Sequence, residues 1–484
     1  MGEASLDEFK VTVTLDSRQN KAIGLVTAFC LTFTMLTGCG IFISVSPTFD
    51  VYISDSIGMV VVFWIFGGIV TLFGGLCYAE LGTRIPESGG ERAYYSMVLN
   101  AKVARIYVIF YTLIGRSITL AAVGVIAGSY FANVFWSTHP NYEVAVKVVA
   151  FITILICFIL NVTSKEIVNK ISIPVTVVKI IGLLIVIGCG IYYMSTHKLP
   201  EWKQPFNVTG FQFDKFFLCI TNVVFSYDGW NTIGMVVGDM KNPVRDLPLA
   251  LISAIIIVVL MNVIIVVSYA GILGFAAVRT TQTVASDVGK QLLKGAYPIL
   301  PLLIFISASG TADSILYSGS SVLMSAGYNG ELPRIFSLVQ YKKRTAIPAL
   351  IVQLAVASIF LTFKFQVLLN FFAFLSWLFY FLSITCLLKI KMLSKEEPQT
   401  KIFKIPMAAI FPIQIICVFI IFVCFYLGPV GCSVFTILIV GVYACHYIPQ
   451  NLVRASVFEQ IHDNLCMFLI QKFGLVFADK SDIS

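Results

Sequence analysis

Charged residues are scarce in this chain. Asp, Glu, Lys and Arg together make up 12% of its 484 residues, whereas hydrophobic residues make up 58% and the mean hydropathy is +0.91. A soluble globular domain carries about a quarter charged residues and about half apolar ones. The composition therefore excludes an ordinary soluble domain and indicates a polytopic membrane protein. The net charge of +8 says little about partners until the charges are placed along the chain.

Residue patterns for catalysis or metal binding are also missing. The chain has four His and twelve Cys, without a Cys-x-x-Cys motif, a Cys/His ligand spacing or a Ser/His/Asp constellation. Most of the cysteines fall within apolar stretches, where a buried thiol behaves as a small hydrophobic group. We therefore expect no metal, no cofactor and no enzymatic activity. Residues 1–21 mix acidic and basic side chains, which is not typical of a cleavable signal.

Apolar segments long enough to cross a bilayer recur along the chain. They predict an all-α polytopic membrane protein of about twelve transmembrane helices, at roughly 22–46, 57–81, 106–132, 146–162, 171–194, 215–238, 249–275, 297–326, 347–363, 366–388, 406–427 and 431–448.

Lys and Arg are concentrated in alternate loops between these segments, for example at 84–102, 334–344 and 389–404. This bias predicts that both termini, 1–21 and 449–484, are cytoplasmic. Asn207, in the sequon Asn-Val-Thr, would then lie in a loop on the extracellular side of the membrane and is a glycosylation candidate.

Two apolar segments carry residues that do not suit the middle of a helix. The sixth contains Tyr-Asp-Gly-Trp-Asn at 227–231, and aspartate costs at least ~2.5–3.5 kcal/mol at mid-membrane. The first contains Thr-Gly-Cys-Gly-Ile-Phe at 37–42. Non-helical backbone at this depth survives only where it is buried in protein or lines a wet cavity. We predict a helix break in each segment that exposes backbone groups to a small ligand; the alternative is that the glycines only allow close helix packing.

Further motifs follow in order: Gly-Leu-Cys-Tyr-Ala-Glu-Leu-Gly at 75–82, Ser-Gly-Gly at 88–90, Asn-Pro-x-x-Asp-Leu-Pro at 242–248, Gly-Glu-Leu-Pro at 330–333 and Phe-Leu-Ser-Trp at 374–377. With the two break motifs, they resemble the L-type amino-acid transporters. These are the light subunits of heteromeric amino-acid transporters, within the amino acid–polyamine–organocation superfamily. The resemblance extends over about residues 22–450.

The resemblance implies a single transporter domain over 22–448 with the five-plus-five inverted repeat of the leucine transporter (a LeuT-like fold) and broken helices 1 and 6. Repeat one would cover about 22–194, repeat two about 215–388, and two extra helices about 406–448. It also implies sodium-independent transport of L-amino acids by alternating access, commonly by exchange, in the plasma membrane.

In such transporters the break in helix 1 holds the substrate carboxylate, and carbonyl groups of helix 6 bind the amino group. Free N–H groups at a half-helix N-terminus suit an anion, and free carbonyl groups suit an ammonium. By resemblance, the carboxylate site comprises Thr37, Gly38, Cys39, Gly40 and Ile41, and the amino-group site comprises Phe225, Ser226 and Asp228. The second break is shaped by Tyr227, Gly229, Trp230 and Asn231. Phe374 and Trp377 lie beside the pocket.

Two departures from the family pattern change what we expect. Cys39 replaces the usual Ser between the glycines, and a thiol is a weaker hydrogen-bond donor than a hydroxyl, so we expect altered selectivity rather than loss of binding. The loop at 130–143 contains no Cys, although the family uses a Cys after helix 3 for its heavy-chain disulfide. A heavy-chain glycoprotein linked covalently through this loop is not expected; a noncovalent partner and no partner both stay open.

Ionisable side chains within the predicted spans allow several roles. By resemblance Lys179 occupies the place of a sodium ion; binding a proton and snorkelling to the interface are the alternatives. Asp228 could pair with the cationic end of a dibasic amino acid or belong to a helix-end network. Arg116 could hold an acidic side chain or neutralise Asp228 or Asp313, and the sequence does not pair them. We favour a carrier of neutral amino acids, with dibasic ones as an extension; a nontransporting amino-acid sensor is the alternative.

Overall fold

The computed structural model describes most of the chain, in residues 23–38, 40–52, 55–86, 89–163, 165–197, 202, 204–393, 402–445 and 456–478. Cys39 and the N-terminal tail at 1–21 lie outside the described residues.

Seventeen α-helices are described within these ranges: α1 Leu25–Leu36, α2 Ile57–Arg84, α3 Glu91–Val98, α4 Ala101–Tyr107, α5 Arg116–Trp136, α6 Tyr142–Thr163, α7 Lys165–Thr196, α8 Phe213–Ser226, α9 Pro243–Leu273, α10 Phe275–Thr280, α11 Val284–Leu292, α12 Ile299–Tyr328, α13 Ile347–Phe360, α14 Phe365–Leu393, α15 Met407–Leu427, α16 Pro429–Cys445 and α17 Ser456–Phe473. A π-helical stretch, Val108–Gly115, joins α4 to α5, and shorter 3-10 helices occupy Gly40–Phe42, Ser46–Phe49, Thr232–Asp239, Lys294–Ala296 and Arg334–Ser337.

Nine helical segments within the described residues are long and apolar enough to cross a membrane. Three of the twelve predicted segments are shorter: α13, the apolar part Pro429–Ala444 of α16, and α8 with its 14 residues. Outward-facing apolar residues are typical of a lipid-facing surface. On α6, for example, Ile152, Ile156 and Ile159 are about half exposed while Ile154 and Cys157 are buried. The chain is a largely helical, multi-pass membrane protein.

The first predicted span does not continue as one helix. The α-helix ends at Leu36, and Thr37 leaves the helical conformation with φ −80° and ψ 48°. Both the N–H and the hydroxyl of Thr37 donate to the Phe33 carbonyl oxygen, at 2.9 and 2.6 Å. The backbone then forms only the 3-10 turns at Gly40–Phe42 and Ser46–Phe49.

The sixth predicted segment is interrupted in a similar way. The helix α8 ends at Ser226, and residues 227–231 form turns before the 3-10 helix Thr232–Asp239. Gly229 has φ +113°, a conformation that residues with a Cβ rarely adopt. Past this 3-10 helix, Met240 forms a parallel β-bridge with Ile23, and the Lys241 N–H donates to the Ile23 carbonyl oxygen at 2.9 Å.

A two-stranded antiparallel sheet adds to the predicted all-α fold. Strand β1, Leu338–Gln340, pairs with β2, Leu475–Phe477, so that Leu338 lies opposite Phe477. The Ala478 N–H also donates to the Ser337 carbonyl oxygen at 2.7 Å. The sheet attaches the segment after α17 to the loop after α12.

Candidate functional site

The two helix breaks lie directly against each other. A Cβ placed on Gly40 would be 2.9 Å from the Ser226 Cα and 3.3 Å from the Phe225 ring. A Cβ placed on Gly229 would be 3.0 Å from the Met35 carbonyl oxygen, at the end of α1. Real Cβ atoms essentially never come within 3.0 Å of another heavy atom, and a distance of 3.0 Å is tighter than nine in ten real Cβ contacts. The absence of side chains at the two glycines therefore allows this close contact.

Around the first break, Thr37 and Ile41 are buried, and a Cβ on Gly38 would meet only the Met35 carbonyl oxygen and the Gly40 nitrogen, at 3.8 and 4.0 Å. Cys39, which the resemblance assigns to the carboxylate site, lies outside the described residues. The Thr37 hydroxyl donates its proton to the α1 backbone, so this proton is not available to a ligand.

Aromatic residues of the second break point in different directions. The Phe225 ring lies 6.3 and 6.0 Å from the rings of Phe365 and Phe372 on α14. Tyr227 packs edge-on against Trp64 of α2 at 5.8 Å. Trp230 packs at 4.8 Å from Tyr78 and 4.5 Å from Tyr380. Phe225 lies next to Gly40 of the first break, whereas Tyr227 and Trp230 pack against aromatic rings of α2 and α14.

Asp228 and Asn231 belong to a buried polar network. The Tyr380 hydroxyl on α14 donates to Asp228 Oδ1 at 2.7 Å and lies 3.3 Å from Asn231 Oδ1. Asn231 Nδ2 donates to Glu91 Oε1 at 2.5 Å and lies 3.4 Å from the Tyr111 hydroxyl. The network connects the second break to α14, the π-helical stretch and α3.

Sequence reasoning did not identify Glu91 or Tyr380 as site residues. Their positions in the sequence are 140 and 149 residues from Asn231, and a single tyrosine inside an apolar helix carries no motif. Glu91 directly follows the Gly-Gly pair at 89–90, so an acidic residue next to a family motif was the available signal.

Three other residues predicted near the pocket, Phe374, Trp377 and Lys179, contact different parts of the protein. Phe374 packs edge-on against Phe425 of α15 at 5.3 Å, and Trp377 packs against Tyr380 at 5.7 Å. Lys179 is 5% exposed, and its Nζ lies 3.5 Å from the Thr34 carbonyl oxygen on α1. Lys179 thus approaches the backbone of α1 within one turn of the first break.

The structure separates the two intramembrane aspartates. Asp313 on α12 accepts a hydrogen bond of 2.6 Å from Asn161 of α6, whereas Asp228 is bonded to Tyr380 of α14. The Arg116 guanidinium carbon lies 5.9 Å from the centroid of the Tyr111 ring, and its Nη1 is 3.5 Å from Ser318 Oγ. Arg116 therefore lies beside Tyr111, whose hydroxyl is 3.4 Å from Asn231 in the network that contains Asp228.

Glu91 gives a testable pH dependence, because it lies on α3, between the second and third spans, and is 1% exposed. Burial raises the pKa of its carboxyl above the usual value, while hydrogen bonds from Asn231 and Tyr107 act in the opposite direction. A raised folded-state pKa means that folding favours the protonated form. The resulting stability is present below the unfolded-state pKa of about 4.3 and is lost as pH rises through the folded-state pKa.

We expect the melting temperature of the unmodified protein, relative to Glu91→Gln, to fall as pH rises over that window. Thermal unfolding in detergent at a series of pH values measures this difference. A difference in melting temperature that is constant with pH would contradict a raised pKa of the Glu91 carboxyl.

Comparison with known proteins agrees with the resemblance seen in the sequence. The family model of the amino acid permeases matches residues 23–445. The chain belongs to the amino acid permease family. It is 27% identical over 377 residues to the b(0,+)-type amino acid transporter 1 of Oryctolagus cuniculus, an alignment that covers 78% of this chain and 77% of the rabbit protein.

Two other relatives cover more of this permease. The human cystine/glutamate transporter is 27% identical over 426 residues, 88% of this chain and 84% of its own. The large neutral amino acids transporter small subunit 2 of Mus musculus is 25% identical over 434 residues, 87% of this chain and 80% of its own. The permease is therefore a membrane transporter by family and not an enzyme.

Proposed function

We propose that this chain is a sodium-independent L-amino-acid transporter that exchanges neutral amino acids, and dibasic ones through Asp228, by alternating access. The observation that carries the proposal is the pair of facing helix breaks, in which Gly40 approaches Phe225 and Ser226. Both breaks leave main-chain groups without helical partners inside a membrane protein, where such groups need a ligand or other polar partners.

The chemistry of the two breaks suits the two ends of a zwitterion. N–H groups near Gly38, Gly40 and Ile41 would bind the carboxylate, since the start of a helical turn favours an anion. Carbonyl groups at the end of α8, from Phe225, Ser226 and Asp228, would bind the ammonium. The breaks touch in this structure, so main-chain groups from both can contact one small substrate.

Lys179 supports sodium independence. Its ammonium group is buried and points at the α1 backbone next to the first break. A fixed positive charge there can stabilise the carbonyl groups that a sodium ion would otherwise coordinate. Binding of a proton at Lys179 is the alternative, and it predicts uptake that depends on a pH gradient.

The remaining expectations complete the proposal. Repeat one would cover 22–194 and repeat two 215–388 in a LeuT-like inverted repeat of twelve helices, within a plasma-membrane protein whose two termini are cytoplasmic. Asn207 is exposed and would be a glycosylated outer-loop residue. A heavy-chain glycoprotein, if one binds, would associate noncovalently.

Reconstitution into proteoliposomes tests the proposed function. We expect saturable uptake of radiolabelled leucine and lysine that is equal in sodium and choline buffers and several-fold faster when the vesicles are preloaded with unlabelled amino acid. Folded protein that binds amino acids in a thermal-shift assay without any flux would instead identify a sensor. The absence of both binding and flux across a broad amino-acid panel would refute the transporter and the sensor function.

A further inference from the structure

A buried carboxylate on a short loop helix is bonded to the second break. Glu91 opens α3, outside the set of residues assigned to substrate binding. Its Oε1 accepts hydrogen bonds from Asn231 Nδ2 at 2.5 Å and from the Tyr78 hydroxyl at 3.2 Å, and its Oε2 accepts one from the Tyr107 hydroxyl at 3.1 Å. Within the described residues no Lys, Arg or His forms a salt bridge with it.

Three surrounding elements donate hydrogen bonds to this carboxylate. It is bonded by α2 through Tyr78, by α4 through Tyr107 and by the second break through Asn231. Burial raises the pKa of the Glu91 carboxyl, and the charge of Arg116 on α5 lowers it by a smaller amount. A low local dielectric strengthens the hydrogen bonds that these groups make to the buried carboxyl group.

A short route leads from Glu91 to the candidate substrate site. Asn231 is fixed on one side by Glu91 and lies on the other side within reach of the Tyr380 hydroxyl. Tyr380 has one hydroxyl proton, and its contact with Asp228 at 2.7 Å is shorter than its contact with Asn231 at 3.3 Å. Displacing Asn231 therefore changes the surroundings of the hydroxyl that orients Asp228.

We infer that Glu91 is a positioning residue for the transport function proposed above: its carboxylate holds the Asn231 amide, and this contact sets the conformation of the 227–231 turn and the orientation of Asp228. Glu91 touches the turn at Asn231, and it acts on substrate only through that residue. The same turn carries Gly229, which contacts α1, so a change at Glu91 reaches both breaks.

Swapping the carboxylate of residue 91 and the amide of residue 231 tests the contact between these two side chains. Asn231→Asp places a second carboxylate at the Glu91 carboxylate, and like charges at this distance repel strongly. Glu91→Gln keeps one acceptor oxygen and the side-chain shape but removes the charge. The double variant Glu91→Gln with Asn231→Asp restores a carboxylate–amide pair in the opposite orientation.

We expect leucine uptake to fall about 100-fold in Asn231→Asp and about 10-fold in Glu91→Gln, whereas the double variant exceeds Asn231→Asp by about tenfold or more. A loss that arises at a direct substrate contact of Asn231 would not be relieved by a change at residue 91. Losses that multiply in the double variant would overturn the inference.

A second measurement does not depend on transport or on the folding of Asn231→Asp. Hydrogen exchange of the backbone amides at 225–231 is followed by mass spectrometry in purified, substrate-free protein. The matched control is Arg92→Gln, because Arg92 is adjacent on α3 but pairs with Glu331 at 2.9 Å, in the loop after α12. It removes the ion pair that this helix makes next to Glu91.

We expect exchange at 225–231 to be at least about fivefold faster in Glu91→Gln than in the unmodified protein and unchanged in Arg92→Gln. Equal exchange in all three proteins, or equal acceleration in both variants, would overturn the inference. Unmodified protein that shows no amino-acid flux would refute the proposed function but leave this exchange result interpretable.

Discussion

Gly40→Ala is expected to lower initial amino-acid uptake about 100-fold while the protein remains folded. The added Cβ would lie 2.9 Å from the Ser226 Cα, which is backbone and cannot move aside as a flexible side chain would. Overpacking of this kind costs about 1–3 kcal/mol. The cost falls on the conformation in which the two breaks touch, and each 1.4 kcal/mol lowers the population of that conformation tenfold. Radiolabelled leucine uptake in proteoliposomes, normalised to the amount of folded protein, measures the effect.

Gly188→Ala is the matched control, at a glycine of α7 outside the candidate site. Its Cβ would have no heavy atom within 4 Å, so uptake should stay within about threefold of the unmodified protein. Gly229→Ala should behave like Gly40→Ala, because it combines a strained φ of +113° with a 3.0 Å approach to the Met35 carbonyl oxygen. Unchanged uptake in Gly40→Ala, or equal losses at positions 188 and 40, would contradict the assignment of the contact between the breaks.

Asp228→Asn is expected to reduce uptake of lysine and arginine about 10–100-fold and to change leucine uptake less than about threefold. An asparagine at 228 can still accept the hydrogen bond from Tyr380 while the negative charge is lost. The defect should therefore fall on substrates with a cationic side chain. Competition of unlabelled amino acids against labelled leucine and lysine provides the measurement.

Tyr380→Phe separates the charge of Asp228 from its hydrogen bond. This variant removes the 2.7 Å contact to Asp228 Oδ1 but leaves the carboxylate in place. We expect it to affect leucine and lysine uptake to similar extents, because it disturbs the turn rather than the charge. If Asp228→Asn reduces leucine and lysine uptake equally, Asp228 belongs to the structural network alone.

The membrane class, the family and the positions of polar interruptions could be predicted from the sequence. Glycine and polar residues at 37–40 and 227–231 stand in apolar segments where their cost is high, so each interruption is a strong local signal. The motifs that carry the resemblance are contiguous and ordered along the chain. Such features can be seen without knowing which residues meet in space.

The partners of the buried charges could not be predicted, because they are set by tertiary contacts. Arg116, Asp228 and Asp313 allowed several pairings in the sequence. In the structure Asp313 is bonded to Asn161 and Asp228 to Tyr380. Phe374 matches a family position beside the pocket but packs against α15. The strands β1 and β2 have three residues each, too few for an alternating pattern to stand out.

The parallel bridge between Ile23 and Met240 joins the chain just before α1 to the chain just after the second break, with the Lys241 N–H bonded to the Ile23 carbonyl oxygen. Any movement that spreads these two ends apart must break this main-chain bond. Donor and acceptor are present whatever side chains occupy 23 and 241, proline at 241 excepted. The contact between these two segments can therefore persist through substitutions that would remove a contact made by side chains.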